Sequence, residues 1–136
     1  MIAVTVHGAE GRMGRLVADL VERTDDCELV GLVTEPGRDL EAGVLHPRLP
    51  VVGQDQLPAV HPAGGVIIDF SLAPALPRLL ELAAPLDAPL VCGVTGHDEA
   101  TLAALAAYAS RRPVVHAANF SVGIPALQMV LRLLAR

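Results

Sequence analysis

The chain has 136 residues, with ten arginines and no lysine against fifteen acidic residues, a net charge of −5 and a mean hydropathy of +0.49. That length suits one domain with a real core. An acidic chain with three aromatics and no basic cluster is a poor nucleic-acid binder, and no apolar run reaches the ~20 residues that cross a bilayer.

In chain order, Ile2–His7 reads as an apolar strand running straight into Gly8-Ala9-Glu10-Gly11-Arg12-Met13-Gly14, and Arg12–Arg23 as an amphipathic helix. Gly8, Gly11 and Gly14 let the backbone turn tightly and approach a pyrophosphate, and the helix start offers free N–H groups and a positive dipole end. A dinucleotide-binding unit begins this way. Arg12 and Arg15 fall in the first helical turn, where the dipole disfavours a cation. An anionic ligand offsets that for Arg12; for Arg15, phosphate contact and plain exposure are equally good readings. A second strand covers Glu28–Thr34. Glu35 follows at its end, 21 positions beyond Gly14, where a carboxylate accepts hydrogen bonds from the adenosine ribose hydroxyls. Glu35–Pro50, rich in Pro, Gly and charge, reads as a surface loop, and Val51–Val52 as a weak strand.

Further strands are predicted at Val66–Phe70, Pro89–Gly93 and Pro113–Ala117, separated by helices at Ala73–Ala84 and Glu99–Arg111. Continuous Val/Ile/Leu strands alternating with helices predict an α/β fold: a doubly wound, mainly parallel sheet with helices on both faces. Three strand ends carry polar signatures: Asp69-Phe70-Ser71, Gly93-Val94-Thr95-Gly96 and Ala117-Ala118-Asn119-Phe120-Ser121. In such a sheet all three fall on the rim where ligands bind. Phe70 and Phe120, each followed by serine, fit a cofactor-lining role, and Thr95 between its glycines brings backbone close to a nicotinamide ring. A last helix, Ile124–Arg136, has one narrow polar stripe of Gln128, Arg132 and Arg136. It is expected to be buried on most sides, by self-association or by further protein mass.

Cys27 and Cys92 are expected as buried free thiols of a cytoplasmic protein, with no signal peptide ahead of the first strand. No Cys or His pair has metal-ligand spacing, so no metal site is expected. Ser71 and Ser121 show no base or orienter that would make either a nucleophile.

Taken together, the glycine turn, Glu35, Ile68-Asp69-Phe70-Ser71, Gly93-Val94-Thr95-Gly96 and Ala117-Ala118-Asn119-Phe120-Ser121-Val122-Gly123 resemble, in order and spacing, the N-terminal domain of the 4-hydroxy-tetrahydrodipicolinate reductase (dihydrodipicolinate reductase) family. The resemblance spans essentially the whole chain. It implies a Rossmann-type nucleotide domain over residues 1–136 and reduction of a cyclic unsaturated dicarboxylate by NADH or NADPH, in diaminopimelate and lysine biosynthesis. It places Gly8, Gly11, Arg12, Met13 and Gly14 around the pyrophosphate and Glu35 on the ribose. Phe70, Gly93, Thr95, Ala118, Asn119 and Phe120 would surround the nicotinamide, with Thr95 also bordering substrate.

Three departures qualify what carries over. Val94 replaces the first threonine of the usual Gly-Thr-Thr-Gly. Pro36 stands where some members carry an arginine for the NADP 2′-phosphate, with Arg38 two positions on; Glu35 would repel that phosphate, so NADH is the weakly preferred cofactor. Finally, the family's His-His…Lys…Asp-Ala-Pro-Ser-Gly-Thr region has no counterpart among five isolated histidines and no lysine. No catalytic residue is therefore expected, and the chain reads as the cofactor half of the enzyme, without turnover alone. The alternative is a complete small NAD(P)-binding or sensing module without catalysis.

Overall fold

The computed structural model describes residues 1–35 and 45–135; Pro36, Arg38 and Arg136 lie outside the described residues. The strands are β1 (Ile2–His7), β2 (Cys27–Thr34), β3 (Val51–Gly53), β4 (Val66–Asp69), β5 (Leu90–Cys92) and β6 (Val114–His116). The helices are α1 (Arg12–Glu22), α2 (Leu57–Val60), α3 (Leu76–Ala83), α4 (Glu99–Ala109) and α5 (Gly123–Leu134). All six strands form one sheet in the order β3-β2-β1-β4-β5-β6, and every pairing is parallel. The predicted doubly wound α/β architecture is the one found.

Most predicted elements recur, trimmed at their ends, and the departures have local causes. The helix expected over Ala73–Ala84 is a regular α3 flanked by 3-10 turns at Ala73–Ala75 and Ala84–Leu86. Pro74, Pro77 and Pro85 each lack the N–H that a continuous α-helix needs, so each sits at the start of its own short piece. The four-residue α2, entered through a 3-10 turn at Gln54–Gln56, is too short to show a helical period.

Strand pairing sorts side chains onto two faces. Val51, Leu32, Val6, Ile68, Val91 and Val115 are register partners across all six strands and form a row on the α1 side. There Val4, Val6, Ala18, Val21, Leu29 and Leu32 make one core with α1. The next row, Val52, Val33, His7, Asp69, Cys92 and His116, faces the opposite way. On that side Leu57, Ile67, Leu76, Leu79, Leu90 and Leu105 bring α2, α3 and α4 into a second, larger core. Burial of a leucine in such a core contributes about 1.5–3 kcal/mol.

The burial of Cys27 is corrected, and α5 stands bare within the chain, as a helix covered by self-association or further protein mass would. No residue of α5 is buried, although its composition calls for cover on most sides. The helix lies beyond the last strand, and nothing among the described residues packs over it. Cys92 is a buried free thiol as expected, but Cys27, at the start of β2, is only half-buried.

Candidate functional site

The strand order reverses between β1 and β4, and in an open parallel sheet the ligand crevice lies beyond the carboxyl ends of the strands at that point. The glycine turn sits there. Gly8 has φ +75°, and a Cβ on it would lie 2.6 Å from the Ser71 backbone nitrogen. A Cβ on Gly14 would overlap the Gly8 carbonyl oxygen. Both positions therefore demand glycine, Gly8 for conformation and close approach, Gly14 for the passage of α1 over the turn.

Two helices start at this rim and are finished differently. The Asp98 carboxylate caps α4, with Oδ1 accepting from the Thr101 N–H at 2.8 Å. The α1 N-cap is Gly11, which offers no side chain, and no acidic residue lies in the first turn. The leading N–H groups of α1 are thus open to an external acceptor, at the positive end of the dipole. Arg12 and Met13 are exposed beside them. Arg15 turns back instead, its Nε donating to the Glu10 carbonyl at 3.2 Å. Glu10 itself ties the turn to the end of β2, since its Oε1 accepts from the Glu35 N–H at 2.9 Å. Sequence reasoning missed that tie, because a glutamate in a glycine loop carries no signal for a partner 25 residues away.

Two clefts open from the rim. One, of about 520 Å³, is lined by Met13, Phe70, Gly93, Ala118, Asn119, Phe120 and Ser121. Six of the twelve predicted cofactor residues meet in it. The Phe70 and Phe120 rings stand edge to face, 5.9 Å apart between centroids, and the Phe70 ring lies so close to Gly93 that a Cβ there would strike it. Asn119 Oδ1 accepts from the Ser121 N–H at 2.6 Å, which sets the loop shape ahead of α5. Thr95 is exposed at the rim and is not part of this lining. The second cleft, of about 420 Å³, is lined by Glu35, Gln54, Asp55, Leu72, Pro74, Ala75 and Arg78. Arg78 is held there by Asp55 at 2.8 Å and Glu81 at 2.9 Å.

Beneath the rim runs a buried polar row. Asp69 Oδ1 accepts from His7 Nδ1 at 2.8 Å and from the Ser71 N–H at 3.0 Å. Burial opposes ionisation of Asp69, but these bonds and the charge of His7 outweigh it and hold the carboxyl below its ordinary value. Asp69 is thereby the anchor of the Asp69-Phe70-Ser71 turn. Its Oδ2 lies 3.8 Å from Cys92 Sγ, and burial, with Asp69 beside it, pushes that thiol up to about 11. His97 Nε2 is 3.9 Å from the same sulfur, and the His97 and His116 rings are 5.6 Å apart.

The sheet order, the glycine turn and the uncapped helix define a dinucleotide-binding α/β domain. A family model for the N-terminus of dihydrodipicolinate reductase matches residues 2–120, and the chain belongs to that family. A 4-hydroxy-tetrahydrodipicolinate reductase of Alkalilimnicola ehrlichii is 39% identical over 138 residues, covering 98% of this chain and 52% of the relative. One from Anaeromyxobacter sp. is 38% identical, covering all of this chain and 52% of its own length. The chain thus spans about half the length of the curated relatives it matches. In fold it is similar to a dipicolinate-bound dihydrodipicolinate reductase from Paenisporosarcina sp. TG-14, with TM-score 0.69 and 20% identity over 90% of this chain and 49% of that one. It is also similar to a myo-inositol 2-dehydrogenase from Lactobacillus plantarum, with TM-score 0.68 and 16% identity over 96% of this chain and 41% of that one. Among the described residues, no helix is long and apolar enough to cross a membrane.

Proposed function

We propose that residues 1–136 form one dinucleotide-binding domain that holds NADH or NADPH as the cofactor half of 4-hydroxy-tetrahydrodipicolinate reductase, a cytoplasmic enzyme of diaminopimelate and lysine biosynthesis. The observation that carries this reading is the meeting of Met13, Phe70, Gly93, Ala118, Asn119 and Phe120 in one cleft beside an open helix N-terminus. The glycine turn fits the group: Gly8 and Gly14 let the turn pack closely under the start of α1, and Gly11 leaves the leading N–H groups of α1 without a side-chain cap. In this reading Gly8, Gly11, Arg12, Met13 and Gly14 bind the pyrophosphate. Glu35 binds the ribose, and Phe70, Gly93, Ala118, Asn119 and Phe120 orient the nicotinamide and exclude water from one side of it. Thr95 stands at the outer edge, toward substrate. The bound cofactor supplies the hydride; the protein supplies its position.

NADH is the preferred cofactor. Glu35 and Asp55 bring two carboxylates to the second cleft, and its one described cation, Arg78, is already shared between Asp55 and Glu81. A 2′-phosphate would add charge to that negative surround. The chain alone is not expected to turn over, because it has neither a lysine nor adjacent histidines. The bare α5 is the surface through which copies self-associate.

Calorimetric titration with NADH and NADPH tests the reading. The expected result is micromolar binding, tighter for NADH, with Gly8→Ala weakening it more than tenfold. A folded chain that binds neither overturns the assignment, and tighter NADPH overturns the preference. Reduction of the cyclic dicarboxylate by the pure chain would show that no second half is needed.

A further inference from the structure

Strand pairing aligns Asp69, Cys92 and His116 in one row at the carboxyl end of β4, β5 and β6. His97, the residue just before the Asp98 cap of α4, closes over that row. One ligand atom each from Cys92, His97 and His116 lies within 4.8 Å of the other two. Cys92 Sγ and His97 Nε2 are 3.9 Å apart, close to the ~3.5 Å edge that a tetrahedral zinc with one sulfur and one imidazole nitrogen sets. The cluster is graded from inside to outside: Cys92 is buried, His97 half-buried and His116 exposed, so the pocket has a floor and an entry path. One further observation concerns the ligands. His97 Nδ1 is buried without a protein partner and Nε2 faces the Cys92 sulfur, so among the described residues no other hydrogen-bonding group holds the ring in place against a cation.

We propose that Cys92, His97 and His116 form a site for a thiophilic divalent cation of the zinc type, with a fourth position open to water or an incoming ligand. On binding, the Cys92 S–H bond gives its proton to solvent, the sulfur electron pair goes to the metal, and each imidazole donates a ring-nitrogen lone pair while neutral. No oxidation state changes. Cys92 and His116 belong to the face of the sheet that carries α3 and α4, whereas Gly93 lies against the Phe70 ring in the nicotinamide cleft. The cation would therefore stitch the Gly93–Asp98 turn to the end of β6 from behind that cleft. The steps of five and nineteen positions from Cys92 to His97 and from His97 to His116 match no short ligand motif, which is why spacing alone predicts no metal.

Cobalt(II) is the probe, added to the intact 136-residue chain. The expected result is one cobalt per chain at micromolar concentration, with a sulfur-to-cobalt charge-transfer band and the intense visible bands of tetrahedral coordination, both displaced by zinc. Cys92→Ser should remove the charge-transfer band, and His97→Ala and His116→Ala should each weaken binding roughly tenfold or more. Cys27→Ser should change nothing. Since Cys92 is buried, the two histidine variants keep the test independent of whether its serine variant folds. The proposal is overturned if the wild-type chain gives no saturable band at millimolar cobalt, if both histidine variants bind as wild type, or if the band follows Cys27 instead of Cys92.

Discussion

One row of side chains on the α1 side of the sheet shows two halves of the molecule built to different standards. Leu32 and Val6 are 2% and 0% exposed, sealed under α1, while Val115 in the same row is 55% exposed. Ile68 and Val91 between them are half-buried. The strands are equally apolar from end to end, so the difference lies in what covers them. A strand's hydrophobicity declares that it needs a cover; it does not say whether the cover comes from this stretch of chain.

The sharpest way to break the comparison is to truncate both ends of the row. Leu32→Ala should lower unfolding free energy by about 2–5 kcal/mol, because the side chain is packed into the α1 core. Val115→Ala should fall within about 0.5 kcal/mol of wild type. Chemical denaturation at neutral pH measures both. Equal losses would mean that β6 is covered in solution and that the two halves are built alike.

Next in size is the response to pH of the covered half. His61 is buried below β1, with Nε2–H donating to the Gly65 carbonyl at 3.1 Å and Nδ1 accepting from the Thr5 hydroxyl at 2.9 Å. Burial lowers its pKa below the ordinary 6.5, the Gly65 bond only partly opposing this. The unfolded chain therefore takes up a proton below 6.5 that the folded chain refuses, and stability falls as pH drops through that value. Asp69 has the opposite chemistry and the same direction: its lowered pKa gives stability that is complete above 3.8 and is lost as pH falls below it. Thermal melts across this range should show two declines, and His61→Gln should flatten the upper one alone. An unchanged upper decline in that variant would remove His61 as its source.

A smaller effect separates the two helix starts at the rim. Asp98→Ala removes the α4 cap and should lower the denaturation midpoint. The corresponding position of α1, Gly11, has no cap to lose. Adding one with Gly11→Asp should cut NADH affinity, because the new carboxylate would take the N–H groups assigned to the pyrophosphate. Undiminished affinity in that variant would place the phosphates elsewhere.

What the sequence made legible follows the same division. The parallel sheet could be read because strands covered on both faces become continuous apolar runs, and the glycine turn because two of its positions exclude any Cβ. Cleft residues at the ends of β4, β5 and β6 could be placed on one rim, since strand polarity alone puts them there. The His7–Asp69 bond could not be read: it joins positions 62 residues apart, and only strand order makes them neighbours. The same holds for the Cys92, His97 and His116 cluster. The apolar spacing over Ala73–Ala84 reads as one helix, and the break into short pieces comes from the prolines within it. The apolar character of α5 is legible as a demand for cover by self-association or further protein mass, and nothing among the described residues of the chain itself supplies it.

The smallest effect on stability tests that last point. Leu127, Val130, Leu131 and Leu134 are 54%, 51%, 55% and 78% exposed, and their spacing of three and four puts them along one side of α5. A contiguous apolar stripe of this kind is rare on a free surface, which is the ground for self-association through α5. Leu127→Glu combined with Leu131→Glu should leave the denaturation midpoint of dilute protein within about 0.5 kcal/mol of wild type, since neither side chain has a core to leave. The same pair should convert associated wild-type chains to monomers in sedimentation velocity, because each charge would have to be buried in the contact without a partner. A wild-type chain that is monomeric at every concentration would reject self-association. A large drop in midpoint for the monomer would instead mean that α5 docks on its own sheet, and the bare half of the row would be bare no longer.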